Sequence, residues 1–295
     1  MTLFKAVIGI CAHNEENNIR RLLQNLIFEQ NLPKTCKILI ICSGCTDRTP
    51  DIAKEFGERD ARIETIIERF RRGKANALNR IFKIARESAE VLVLVNADAL
   101  PKRGSITRLI SKLMTSNAGA VFAQPVPFKE VRGNCYKIVR VIWRLHHIIS
   151  FLQKPKLSGE LCAVRASCLQ DIPENVATDE PYIELAVHKR GYNILYVPEA
   201  LVYIRCPTNL VDLLRQRKRI WVGHMQVQKA TNFKVSTSSF RNVLRAISAL
   251  KSDEVLYALL GGFLEIIAYS QARISLSKGM IPYIWEPIRS TKIQL

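Results

Sequence analysis

Along the first 125 residues, short aliphatic and β-branched runs alternate with longer stretches whose apolar positions recur every three to four residues. Unbroken apolar runs read as strands buried on both faces, and the periodic stretches read as helices. The predicted strands are 5–12, 37–42, 63–67, 91–95 and 119–124. A first helix follows Asn14, a good N-cap, with Ile19, Leu22, Leu23, Leu26 and Ile27 on one face. A second opens at Thr49-Pro50, with proline at the first helical position, and stops at Gly57. A third starts near Gly73 and buries Ala77, Leu78, Ile81 and Ile84. This alternation predicts an α/β fold: a Rossmann-like, mostly parallel sheet flanked by helices. At Pro125-Val126-Pro127 the alternation breaks down.

In open α/β sheets, ligands sit beyond the carboxyl ends of the strands. Those positions carry His13-Asn14-Glu15-Glu16, Ser43-Gly44-Cys45-Thr46-Asp47, Arg72-Gly73-Lys74 and Asn96-Ala97-Asp98. A Gly-Lys that opens a helix is a natural phosphate contact. An acid directly after a fully apolar strand can hold a divalent cation. Together the clusters point to a nucleotide diphosphate site. Asn14 and Asp47 also fit plain capping and turn chemistry, and the two roles can coexist.

Charge and composition narrow the picture. Hydrophobic residues make up 48%, enough for a packed core. Lys and Arg number 44 against 26 Asp and Glu, a net charge of +18. Residues 69–86 hold seven cations and no acid, and residues 212–245 hold eight cations and one acid. Such a surplus suits nucleic acid, an anionic membrane or phosphorylated substrates. No zinc-finger spacing and no RNP-type strand is present, so nucleic acid is not the expected partner. The eight scattered cysteines are too sparse for a disulfide scaffold and suggest a reducing compartment. Cys42-Ser43-Gly44-Cys45 has no second Cys-x-x-Cys to complete a zinc site.

The apolar run 6–12 leads into polar residues rather than a cleavage site, so no signal peptide is expected. Region 255–269 is broken by Glu265, and its longest uncharged piece is ten residues. A spanning helix needs roughly 20, so a soluble or peripheral protein is expected. Stretch 136–152 reads as a helix with one apolar side and a stripe of Lys137, Arg140, Arg144 and His147 on the other. That pattern fits a helix lying on an anionic membrane, or a core helix. Stretch 255–276 is a second candidate.

These motifs resemble a family 2 inverting glycosyltransferase with the GT-A fold, over about residues 5–230. His13-Asn14-Glu15-Glu16 is similar to the family's opening motif, and Ser43–Thr49 to its Asp-Gly-Ser-Thr-Asp-x-Thr turn. Gly73-Lys74-Ala75-Asn76-Ala77-Leu78-Asn79 is similar to its Gly-Lys-x-x-Ala-Leu-Asn helix start. Asn96-Ala97-Asp98 stands at the Asp-x-Asp position and Asp179 at the Glu-Asp position. Gln216-Arg217-Lys218-Arg219-Ile220-Trp221 approximates Gln-x-x-Arg-Trp. Ser43 and Asn96 each replace an acid, Thr178 replaces a glutamate, and Trp221 falls one residue late.

The resemblance implies transfer of a sugar from a nucleotide-sugar, with a UDP-sugar expected, to a lipid-linked or glycan acceptor. It implies Asp179 as general base and a Mg²⁺ or Mn²⁺ ion on Asp98. Asn14, Glu15, Ser43, Asp47, Arg72, Lys74, Asn96 and Asp98 would bind the nucleotide-sugar. Gln216, Arg219, Trp221, Gly159 and Glu160 fall on the acceptor side. The expected division is a transferase domain at 1–230, with halves 1–125 and 126–230, and a helical, membrane-associated region at 231–295. A cytoplasmic enzyme on the inner face of the membrane follows. A non-catalytic nucleotide-sugar-binding relative fits the lost acids, and a basic nucleic-acid-binding protein fits the charge alone.

Overall fold

The computed structural model describes residues 5–128, 133–152, 155–234, 240–286 and 288–291. Its strands are β1 (Ala6–Ala12), β2 (Lys37–Ser43), β3 (Ile63–Glu68), β4 (Val91–Val95), β5 (Ala99–Pro101), β6 (Ala118–Pro127), β7 (Leu161–Arg165) and β8 (Asn193–Ile204). They form one sheet in the order β3-β2-β1-β4-β7-β6-β8-β5. The half β3-β2-β1-β4 is parallel throughout. β7 runs antiparallel to both β4 and β6, β8 parallel to β6, and β5 antiparallel to β8. The sheet is therefore mixed though mostly parallel, and β6 continues through Pro125–Pro127 instead of ending there.

Helices α1 (Glu16–Phe28), α2 (Thr49–Arg59), α3 (Lys74–Ser88), α4 (Ser105–Met114), α5 (Asn134–Leu152) and α6 (Glu180–Lys189) cover the sheet. Alternate residues of β1 explain the layering. Ala6, Ile8, Ile10 and Ala12 face the core built with α1, α2 and α4, whereas Val7 faces the core built with α3 and α6. Gly9 shares that second face, where a Cβ would fall 2.6 Å from Ile81 of α3, so glycine admits the close helix approach.

Two helix ends depart from expectation. Asn14 has φ of 53° and does not cap α1. Asp47, from the β2–α2 turn, accepts from the Glu16 N–H at 3.1 Å instead. Helix α2 runs through Gly57 to Arg59, because its apolar face carries Phe56 into the core and Gly57 accommodates the nearby Ile63 carbonyl.

Beyond the sheet lie α7 (Leu210–Thr231), α8 (Phe240–Ser248) and α9 (Ser252–Ser277). Helix α5 does not lie free for a membrane. Ile138, Val139 and Val141 are buried, and three of the four stripe residues are taken by α9, with His147 bonded to Tyr196 of β8 instead. Arg144 pairs with Glu254 at 3.0 Å, Arg140 at 3.7 Å. Lys137 donates to the Tyr257 hydroxyl at 3.1 Å. Helix α9 corrects a second expectation, since it is long and apolar enough to cross a membrane by length and composition. Glu265 does not interrupt its outer face, because it turns inward to Arg217 (2.5 Å) and the Trp221 indole N–H (2.7 Å) of α7. Leu256, Leu259, Leu260, Phe263 and Ile266 stand exposed on the other side.

Candidate functional site

The strand order reverses at β1, which has β2 on one side and β4 on the other. A pocket opens at the carboxyl ends of these strands, as the crevice at a topological switch point should. Its wall includes Glu15 after β1, Ser43 at the end of β2, Lys74 at the start of α3, and Asn96 and Asp98 after β4. Glu160, Gln216 and Arg219 close the far side. The predicted clusters of both halves of the chain thus meet in one place.

Lys74 is the hub. Gly73, with φ of 92°, turns the chain so that α3 opens on this lysine. Its ammonium lies 3.1 Å from Asp179 and donates to the Asn96 amide oxygen at 3.3 Å. The Asn96 amide N–H₂ in turn donates to the Glu160 carboxylate at 2.8 Å. Asp179 immediately precedes α6 and is only 3% exposed. Burial, helped by Glu180, pushes its carboxyl up to about 6, while Lys74 pulls the other way. Burial opposes the charge on Lys74, but Asp179 and Glu180 outweigh it and the net shift is upward. Burial likewise raises Glu160. It pushes the Arg219 guanidinium down against the pull of Glu180, Asp179, Glu160 and Asp98. Arg219 therefore sits within electrostatic reach of Asp179 and Asp98.

Six predicted residues lie off the pocket wall, and one of them is Asp179, which meets the wall through its pair with Lys74. Asp47 is held by helix ends: it accepts from the Thr49 N–H (3.0 Å) and hydroxyl (2.6 Å) as well as from Glu16. Asn14 accepts from the Thr46 N–H at 2.8 Å and braces the same turn. Arg72 points to solvent, and its neighbour Arg71 lines the pocket. Trp221 packs between Tyr269 and His224 and bonds Glu265. Gly159 is where Glu180 passes, since a Cβ there would fall 2.4 Å from that carboxylate.

An aromatic residue arrives from elsewhere. After α9 the chain turns at Gly279 (φ 67°) and returns across the pocket. The Trp285 ring stacks 3.7 Å from the Arg219 guanidinium and 5.3 Å from the Lys74 ammonium, and its carbonyl accepts from Arg71. Ser290 donates to Asp212 of α7 at 2.6 Å and ties this segment down. The sequence signal for it was the isolated Trp285-Glu286-Pro287, which no strand-end rule connects to the site.

Among the described residues, no group of three or more His, Cys, Asp or Glu side chains is arranged to hold a metal. Asp98 offers a single carboxylate at the pocket wall. That donor set fits a hard cation that takes its remaining oxygens from a diphosphate and water, the usual habit of Mg²⁺.

The model of glycosyl transferase family 2 matches residues 7–171. The probable glycosyltransferase YdaM of Bacillus subtilis is 25% identical over 245 residues, covering 76% of this chain and 56% of that protein. The poly-beta-1,6-N-acetyl-D-glucosamine synthase of Staphylococcus aureus is 26% identical over 231 residues, covering 73% and 53%. The chain thus spans about half the length of these relatives. In fold, it is similar to the mannosyltransferase PcManGT of Pyrobaculum calidifontis, solved with GDP-Man and Mn²⁺. That likeness has TM-score 0.63 and 22% identity, over 99% of this chain and 84% of that one. It is also similar to S. aureus TarS 1-349 in complex with UDP-GlcNAc, with TM-score 0.54 and 14% identity, over 96% and 98%.

Proposed function

This chain belongs to glycosyl transferase family 2, and on that premise we propose that it transfers a sugar from a nucleotide-sugar to a hydroxyl acceptor with inversion at the anomeric carbon. The observation that carries the reading is the buried Asp179 paired at 3.1 Å with Lys74, which lines the pocket together with Asp98 and Arg219. Asp179 takes the acceptor hydroxyl proton as the oxygen attacks the anomeric carbon from the side opposite the diphosphate. A carboxyl held at about 6 is ionised at neutral pH yet basic enough to share that proton. Lys74, Arg71 and Arg219 stabilise the charge that builds on the leaving diphosphate. As diphosphate oxygens draw on the Lys74 charge, its hold on Asp179 weakens and the carboxylate becomes more basic. Asp98 would hold a Mg²⁺ or Mn²⁺ ion, which when bound would neutralise part of the leaving-group charge. Release of nucleoside diphosphate from a panel of nucleotide-sugars, with Mn²⁺ and with a chelator, tests this. Release from one donor that the chelator abolishes is expected. No release from any donor, with tight binding of the product diphosphate, favours the non-catalytic reading.

The acceptor is lipid-linked or a glycan, and the enzyme works on the inner face of an anionic membrane. Supporting this is the sidedness of α9: two of its three acids, Glu254 and Glu265, face inward to arginines, Asp253 in the first turn is exposed, and five large apolar residues face out. A water-facing helix shows the reverse arrangement. The surplus of +18 adds attraction to anionic lipid.

A further inference from the structure

Asp179 stands on a stretch of chain that no regular element fixes. Residues 169–179 form neither helix nor strand. Asp179 directly precedes α6, and its side chain makes no capping hydrogen bond to that helix. Its place beside Lys74 must therefore come from whatever grips the segment. Two carboxamides do so, one near each end. From α3, Asn79 accepts from the Ile172 N–H and donates to the Ile172 carbonyl, both at 2.8 Å. From α7, Gln226 accepts from the Ala177 N–H at 2.8 Å and donates to the Asn175 carbonyl at 3.1 Å. A carboxamide is neutral and carries acceptor and donor together, so each can pin an N–H and a C=O at once. The Gln226 grip lies two residues before Asp179, and α7 is built to come that close. At Gly223 a Cβ would strike the Thr178 hydroxyl and fall 3.0 Å from the Thr178 backbone nitrogen, so glycine admits the approach. Behind this contact Ala177, Val222 and Ala272 of α9 form one fully buried cluster. Arg219, Gly223 and Gln226 follow at helical spacing along one face of α7, and Arg219 lines the pocket. The helix that brings a cation to the pocket thus also holds the segment that carries the base. Helix α3, which opens on Lys74, holds the other end.

We propose that Gln226, with Asn79 as its counterpart on α3, is a positioning residue for sugar transfer: it holds the 169–179 segment so that the Asp179 carboxylate meets the acceptor hydroxyl at the pocket. Neither carboxamide touches a reacting atom or lines the pocket. Both act through the backbone that leads into Asp179. Gln226 lies beyond the Gln-x-x-Arg-Trp-like stretch, and the resemblance assigns it no role. Releasing the grip leaves the pocket cations in place but loosens the base, and a misplaced base costs turnover rather than binding. The proposal rests on the transferase reading, because it takes Asp179 as the base.

Steady-state kinetics of the full chain, with the nucleotide-sugar that the wild type turns over, tests it alongside amide exchange. Gln226→Met keeps the length of the side chain and removes both hydrogen bonds. It should lower kcat at least about tenfold, while donor KM and the affinity for the product diphosphate stay within about twofold. Amide exchange through residues 175–180 should quicken while the sheet amides stay protected. Gln226→Glu keeps an acceptor for the Ala177 N–H and should recover part of the lost rate. Asn79→Ala should show the same split between kcat and KM, and it stands in if Gln226→Met unfolds. A wild-type kcat in Gln226→Met overturns the proposal. So does a fall in kcat matched by an equal rise in KM and in the dissociation constant, because the grip would then serve the pocket and not the base. In both cases the transferase reading stands. If the wild type turns over no nucleotide-sugar, that reading fails and this proposal with it.

Discussion

Asp179 concentrates the residue-scale physics. Its carboxyl is raised by burial and lowered by one ammonium 3.1 Å away, so the acid form takes over only below about pH 6. If it is the base, kcat/KM falls about tenfold per pH unit below that point, and a pH–rate profile checks this. Lys74→Met removes the cation that opposes protonation. The acidic limb should then move to higher pH as well as the rate dropping, whereas a lysine that only contacts phosphate would leave the limb in place. Asp98→Ala should abolish the Mn²⁺ dependence of nucleoside diphosphate binding, read by thermal shift with and without the ion. Lys74 and Asp98 could be picked out because each stands at a strand end or helix start, where sequence order and spatial order coincide, whereas Asp179 entered only through the resemblance. Arg71 and Arg72 were not separable that way: adjacent cations look alike in sequence, and only the backbone path decides which one faces the pocket.

At the scale of elements, the turn between β2 and α2 serves two helices at once. Asp47 accepts from the first N–H groups of α1 and of α2, so Asp47→Ala removes two caps together. A loss of about 2 kcal/mol in denaturant unfolding is expected, with nucleotide affinity falling less than stability. Strands β1, β2 and β4 and their helices followed from periodicity, since both faces of each strand are buried locally, and the edge strand β3 followed from its short β-branched run. The second half resisted for a physical reason. β7 inserts antiparallel between β4 and β6, and such long-range pairing leaves no local pattern. The role of α5 turned on a partner more than a hundred residues away: its arginines look like a lipid-facing stripe until Glu254 is brought beside them. The same applies to the returning segment, whose tie between Ser290 and Asp212 spans two distant elements. Ser290→Ala should speed hydrogen exchange through residues 280–286 while leaving the sheet amides unchanged.

For the whole molecule, the sheet gathers a cation-lined pocket at the carboxyl ends of its strands, and α9 carries exposed large apolar residues on its outer side. Leu259→Glu with Phe263→Glu should abolish co-sedimentation with vesicles containing anionic lipid. Nucleoside diphosphate binding should stay within about twofold, because neither residue lines the pocket. Retained sedimentation would remove the membrane from the account without touching the chemistry. The central claim is the division of labour between binding in that pocket and proton removal by Asp179, paired with Lys74 at its wall. Asp179→Asn tests it most directly, by nucleotide release under turnover conditions together with calorimetric affinity for the same nucleoside diphosphate. The account predicts release slowed at least about a hundredfold, with affinity close to wild type. A variant that binds normally and still turns over at the wild-type rate contradicts it.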